Sequence, residues 1–234
     1  MTNVDARCSP GRLSRCAPPV DPDSGTLLAI DETPTLVTAH GGLSGGWGLE
    51  PDFLTVGKAI AAGVPLGAYG MSDEIAALIA PPEEARAASG VVVDQVATGG
   101  TLFANPLSMA AGRAALTEVL TEVLTEDAFD RTAVLGEQMA SGLRTAIGNA
   151  GLGWSVTQIG AHAFYFFRPE PPDDGATART SDNPDLRALL HVFMVNRGVW
   201  ESGWWLGPTV SVAHDSADVD RYVIVFEEFL DEVT

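Results

Sequence analysis

Short apolar runs that end in acids or glycines, alternating with segments of helical period, assign this chain to the α/β class. Its apolar content, 46% of the residues, is enough for a substantial core. A change in texture near residue 125 separates a glycine-rich first part from an α+β second part.

Residues 1–24 have no apolar period and are rich in Pro, Arg, Asp and Ser, so they are expected to be a disordered leader. Order is expected to begin at Thr26-Leu27-Leu28-Ala29-Ile30-Asp31-Glu32, an apolar run ending in two acids that reads as a buried parallel strand. A glycine-rich loop, 40–48, leads to a second strand at Phe53 to Val56 that delivers Lys58 at its end. Leu66 to Met71 reads as a third strand, with Ser72 capping a helix through Ile79. After Pro81 and Pro82 come Val91-Val92-Val93 and the turn Thr98-Gly99-Gly100-Thr101. Asn105 is placed to cap a helix with Pro106 in its first turn. That helix should run to about Leu124 through the direct repeat Thr117-Glu118-Val119-Leu120, Thr121-Glu122-Val123-Leu124. A four-residue unit slightly exceeds one turn of about 3.6 residues, so it lengthens a helix while roughly keeping its apolar face.

The second part is expected to open with an amphipathic helix, Ala128 to Ile147, followed by strands at Trp154 to Ile159 and Ala163 to Phe167. A polar loop, 169–183, precedes a helix near Leu186 to Asn196. Strands near Val199 and at Thr209 to Ala213 come before a final helix, Ala217 to Val233, capped by Asp215 or Ser216. The expected domains are therefore 25–125 and 126–234.

A net charge of -18, from 31 acids and 13 bases, argues against nucleic-acid or anionic-membrane partners, which need a basic surface. Cys8 and Cys16 are too few for a disulfide framework. No basic segment is followed by an apolar one in the manner of a signal peptide, and no apolar run approaches the ~20 residues that span a bilayer. A cytoplasmic protein is expected.

Only one of the 13 basic residues is a lysine, Lys58, set among small residues and glycines. A lysine amine, unlike a guanidinium, can be freed to act as nucleophile or base. His40, His162, His191 and His214 are scattered without a second ligand at metal spacing, so no metal site is expected. Trp200, Trp204 and Trp205 flank Gly203 and read as core or interface packing rather than a substrate wall. Gly42-Leu43-Ser44-Gly45-Gly46 matches the Gly-x-Ser-x-Gly nucleophile elbow. The segment after it, Trp47 to Pro51, cannot start the helix that motif requires.

Four segments taken together resemble the class III aminotransferases, a family of fold-type I pyridoxal-phosphate enzymes that includes glutamate-1-semialdehyde aminomutase. They are Leu28 to Glu32, Pro51 to Lys58, Gly63 to Ala68, and Gly100 to Pro106 with Met109 to Gly112. A weaker similarity extends through Val210-Ser211-Val212-Ala213-His214 to the last helix. The resemblance implies part of an aspartate-aminotransferase-like large domain followed by an α+β small domain. It also implies pyridoxal 5'-phosphate as cofactor, with an amino donor and an oxo acceptor as substrates. Lys58 would bond to the cofactor aldehyde and shuttle protons, and Asp31 would hold the ring nitrogen protonated. Gly100 and Thr101 would bind the phosphate, in this family across a homodimer.

The resemblance is to the C-terminal half to two-thirds of a family member. Residues 1–25 supply neither the Gly/Ser phosphate loop nor the stacking aromatic that the family carries earlier, so an N-terminally truncated form is expected. The family's acid ahead of the Val-Ser-x-Ala-His stretch is replaced by Trp205-Leu206-Gly207, which favours plain transamination over 2,1-aminomutation. A non-catalytic remnant serving interaction or dimerisation is the reading from a different class.

Overall fold

The computed structural model describes residues 25–79, 102–201 and 207–234. These divide into two compact units. Residues 25–36, 41–79 and 102–123 form the first, and residues 37–40, 124–201 and 207–234 the second.

The first unit holds a three-stranded sheet in the order β1-β2-β3, from β1 (Ala29–Asp31), β2 (Phe53–Val56) and β3 (Ala68–Met71). β1 and β2 are parallel, with Asp31 beside Thr55, whereas β3 runs antiparallel to β2. The parallel pair needs a crossover, supplied by the chain between Asp31 and Phe53. That crossover contains a short helix, α1 (Gly42–Gly46), where the sequence suggested only a glycine-rich loop. Side chains alternate along β1, so Ile30 and Glu32 point into the interior and Asp31 points to the other face.

Beyond β3, Ser72 caps α2 (Asp73–Ile79) by accepting from the Ile75 N–H. Asn105 caps α3 (Pro106–Ala114), its side chain accepting from the Ser108 N–H, with Pro106 in the first turn as expected. The helix does not continue as α to Leu124. Ala115–Val123 is a π-helix, unusually long for this conformation. Thr117 Oγ1 donates to the Arg113 carbonyl at 2.8 Å and Thr121 Oγ1 to the Thr117 carbonyl at 2.7 Å. These hydroxyls compete for the carbonyls that an α-helical ladder would use.

The second unit is built around α4 (Glu126–Asn149), whose N-terminus is capped by the Thr125 hydroxyl. Leu135, Met139, Leu143, Ala146 and Ile147 recur at three- and four-residue spacing and form its buried stripe. This stripe packs on α7 (Ser216–Val233) and on the antiparallel hairpin β4 (Ser155–Ile159)–β5 (His162–Phe166). Two further helices, α5 (Gly175–Thr180) and α6 (Pro184–Asn196), precede α7. Leu190 and Met194 of α6 join Phe226, Phe229 and Leu230 of α7 in the core. Each such side chain contributes about 1.5–3 kcal/mol on burial. Among the described residues, 199–201 form no strand where one is expected near Val199, and the strand expected at Thr209 to Ala213 is reduced to a single bridge between Thr209 and His162. Asp215 starts α7 with a capping box that includes Asp218.

Two charged side chains enter this core with partners. Arg187 is buried, pairs with Asp182 at 2.8 Å, and lies 5.1 Å from the ring centres of both Tyr165 and Phe167. Glu201 is buried and accepts a hydrogen bond from the Tyr222 hydroxyl. Burial pushes its carboxyl above the ordinary range, against the opposing pulls of that hydroxyl and of Arg187. Trp200, expected to pack inside or at an interface, is 75% exposed and meets only the edge of the His191 ring among the aromatic contacts of the described residues. Among the described residues, no helix is long and apolar enough to cross a membrane.

Burial of His162, whose Nδ1 shares a 2.8 Å hydrogen bond with Thr209 Oγ1, lowers its pKa from an ordinary 6.5 to about 4. The unfolded chain therefore binds a proton first, and folding stability falls as pH drops from 6.5 towards about 4. His162→Gln is expected to flatten this limb, read as the urea unfolding midpoint of the second unit's tryptophan signal between pH 4 and 7.

Candidate active site

Parallel pairing of β1 with β2 brings the C-terminal ends of both strands to one edge of the sheet, the place where α/β folds gather their ligands. Asp31 closes β1 there. Lys58 follows β2 after the extended Gly57 and opens a 3-10 turn, Lys58–Ala61. Ile60 and Ala61 of that turn are buried while Lys58 and Ala59 are exposed, so the anchored half of the turn holds the amine out at the sheet edge. Lys58 has φ +49°, in the left-handed region that residues with a Cβ rarely enter. Such strain persists only where the surroundings impose it.

The surroundings here are specific. Helix α3 packs on the 3-10 turn, and Ser108 Oγ donates to the Pro65 carbonyl at 2.7 Å. A Cβ at Gly112 would lie 2.5 Å from Leu66 Cδ2, the far end of that side chain, which would have to shift to admit it.

Asp31 is held ionised. The Thr33 hydroxyl is the largest influence lowering its pKa, followed by the Thr33 N–H, which donates to Asp31 Oδ1 at 2.9 Å. Partial burial opposes these, and the Thr55 hydroxyl and the positive charge of Lys58 add to the lowering. Asp31 and Lys58 both follow the C-terminal ends of the parallel strands, and the Lys58 charge is the smallest of the influences on Asp31. Gly100 and Thr101 lie outside the described residues.

Glu32 fixes this edge from the opposite side. Its carboxylate is buried and accepts from the Leu43 N–H at 3.2 Å, from the Ser44 N–H and from the Thr35 hydroxyl. Two of these donors are orphan amides at the start of α1, where a negative charge is favoured. The Glu32 N–H in turn donates to the Thr55 carbonyl at 2.8 Å, extending the β1–β2 ladder by one residue. Ser44 lies inside α1, is 6% exposed, and is not at an exposed strand-to-helix turn. It has neither the setting nor the access of a hydrolase nucleophile.

Thr33, Thr55 and Glu32 stand at this edge of the sheet and were not singled out in the sequence. A threonine two residues after an aspartate is the spacing at which an Asx turn forms, and that signal was available for Thr33.

The sequence profile described as "Aminotransferase class-III" matches residues 22–148. The chain belongs to the class III aminotransferase family. A glutamate-1-semialdehyde 2,1-aminomutase of Anaeromyxobacter dehalogenans is 33% identical over 206 residues, 85% of this chain and 43% of the relative. Among solved structures, a glutamate-1-semialdehyde aminomutase of Pseudomonas aeruginosa PAO1 superposes with a TM-score of 0.76 at 34% identity, over 89% of this chain and 45% of that one. An omega-transaminase of Sphaerobacter thermophilus gives 0.73 at 26% identity, over 94% and 45%. These are fold-type I aminotransferase structures, and this class III chain carries part of that fold. It spans less than half the length of the curated relatives it matches.

Loss of the Glu32 carboxylate leaves the Leu43 and Ser44 amides unpaired in the interior, at about 1–3 kcal/mol for each buried donor. In Glu32→Ala, hydrogen exchange at those two amides is expected to speed up before the second unit changes.

Proposed function

We propose that this class III chain is part of a pyridoxal-phosphate-dependent aminotransferase that moves an amino group between an amine or amino acid and an oxo acid. The observation that carries the reading is that Asp31 ends β1 and Lys58 follows β2 at the same C-terminal edge of a parallel strand pair. One of the solved structures similar to this chain, the Pseudomonas aeruginosa aminomutase, is a complex with PMP, and that likeness supports the cofactor. The donor set fits: a carboxylate that stays charged suits a protonated ring nitrogen, and an amine stands within its field.

Bound pyridoxal 5'-phosphate supplies an aldehyde that captures amines and a ring that accepts the electron pair released from the substrate. Asp31 would hold the proton on the ring nitrogen by staying negative. Lys58 would hold the cofactor through its Nζ and carry the proton taken from the substrate's α-carbon. Gly100 and Thr101 would bind the phosphate. In this reading residues 25–125 are the cofactor-binding part and 126–234 the small domain, in a cytoplasmic homodimer. Transamination is preferred to 2,1-aminomutation because the acid ahead of the Val-Ser-x-Ala-His stretch is absent from Trp205-Leu206-Gly207.

After pyridoxal phosphate is added and the mixture is reduced with borohydride, peptide mapping is expected to place the label on Lys58. Lys58→Ala is expected to lose it. Label that persists in the variant would overturn the assignment.

A second reading, as an interaction or dimerisation module, draws on the exposed apolar residues of the first unit. Leu102, Phe103, Leu107 and Met109 are exposed, and so are Leu116, Leu120 and Val123 of the π-helix. Mixing the chain with a separately expressed N-terminal half of a class III relative separates the two. Restored transamination supports the enzyme reading, whereas a stable complex without turnover supports the module.

A further inference from the structure

We propose that Ser108 is a positioning residue: its hydroxyl pins the returning leg of the loop that carries Lys58, and so keeps the lysine backbone in its left-handed conformation. The inference rests on the aminotransferase reading for its purpose, but its geometry belongs to the first unit alone.

The loop spans 57–67, between the paired ends of β2 and β3 where Val56 stands beside Ala68. Short backbone hydrogen bonds stiffen it. The Ile60 N–H donates to the Gly57 carbonyl at 3.4 Å, the Ala62 N–H to Ala59 at 3.1 Å, and the Val64 N–H to Ala61 at 3.0 Å. The two legs of the loop then meet: a Cβ built on Gly57 would stand 3.8 Å from the Leu66 carbonyl oxygen. The residue before Lys58 thus lies against the residue after Pro65.

Ser108 acts on that returning leg. It is buried, and its Oγ donates to the Pro65 carbonyl at 2.7 Å. Asn105 aims the hydroxyl. Its Oδ1 accepts from the Ser108 N–H at 3.0 Å, and its Nδ2 donates to Ser108 Oγ at 2.9 Å. With Oγ accepting from Asn105, its own proton is directed to Pro65. Proline has no N–H, so its carbonyl is the backbone group through which this residue can be anchored. One turn further along α3, Gly112 faces the Leu66 side chain, which keeps the same leg against the helix.

The φ of +49° at Lys58 is a strain that only its surroundings can maintain. A buried hydrogen bond contributes free energy of the same order as that strain, so losing one is enough to let it relax. Without the Ser108 hydroxyl, the leg on which Gly57 rests is released. Lys58 is then expected to turn toward negative φ and swing its side chain away from the sheet edge.

Lys58 is the only lysine in the chain, so selective nitrogen labelling of lysine gives a single backbone amide signal. The test reads its three-bond HN–Hα coupling, which depends on φ, in the full chain without cofactor. Ser108→Ala is expected to shift the coupling, and Ser108→Thr to restore it. Asn105→Asp keeps an acceptor for the Ser108 N–H but draws the hydroxyl proton away from Pro65. It is expected to shift the coupling in the same direction, and it serves if alanine disturbs the fold. Ser72→Ala removes the α2 cap of the same unit and is expected to leave the coupling where it is. A coupling unmoved by Ser108→Ala and Asn105→Asp, or moved as far by Ser72→Ala, overturns the proposal and leaves Ser108 an ordinary packing residue. The borohydride label on Lys58, measured in parallel, keeps the cofactor reading separate. A shifted coupling with no label in any variant retains the role of Ser108 and removes the cofactor. An equal label in every variant with an unmoved coupling does the reverse.

Discussion

A carboxylate taken out of water must be met by donors or it will not stay buried, and in the first unit Glu32 is met by two helix-start amides and a hydroxyl. This arrangement determines much of what surrounds it. It shapes the crossover between parallel strands into α1 and holds Glu32 inward. Strand alternation then turns Asp31 outward, toward the side where the chain after β2 presents Lys58. Two adjacent acids of similar chemistry thus take opposite parts. One is buried and accepts from three donors, and the other is accessible, with its pKa lowered first by hydrogen bonding from Thr33.

The two units differ in how they are held. The second has a continuous core in which α4, α6, α7 and the hairpin contribute large apolar side chains, and Arg187 and Glu201 enter it with partners. Among the described residues, the first has a smaller interior of Ile30, Leu43, Ile60, Ala61, Ile75 and Ala115, with helix surfaces that remain apolar and exposed. Its sheet relies more on backbone pairing and on polar clamps than on buried area. A site built on such a unit draws its rigidity from specific hydrogen bonds. That is why Glu32 and Ser108 matter out of proportion to their size.

Much of this architecture was legible in the residues. Asn105-Pro106 and Asp215 announce their helices through capping chemistry that acts locally, and the helices start where those residues put them. Phe53 to Val56 reads as a strand because its run is short, apolar and bounded by turn formers, and it is one. Elements set by distant partners were hidden. Gly42–Gly46 looks like a loop because glycine disfavours helix, yet the Glu32 carboxylate ten residues earlier caps it into one. The strand expected at Thr209 to Ala213 has the right composition but finds a partner only at His162. Thr33 was legible as the Asx-turn partner of Asp31, whereas the approach of its side chain to Gly57 depends on strand pairing far along the chain.

The π-helix over the tetrad repeat has a consequence of its own. Leu116, Leu120 and Leu124 occupy equivalent places in successive copies, as do Thr117, Thr121 and Thr125. Sliding the segment by one copy returns the same sequence of side chains to each position, so neighbouring registers are nearly degenerate in chemistry. Four residues lie between an α-helical turn of about 3.6 and the wider π-helical turn, so an added or deleted copy would shift the apolar face by only a fraction of a turn and leave it nearly in line.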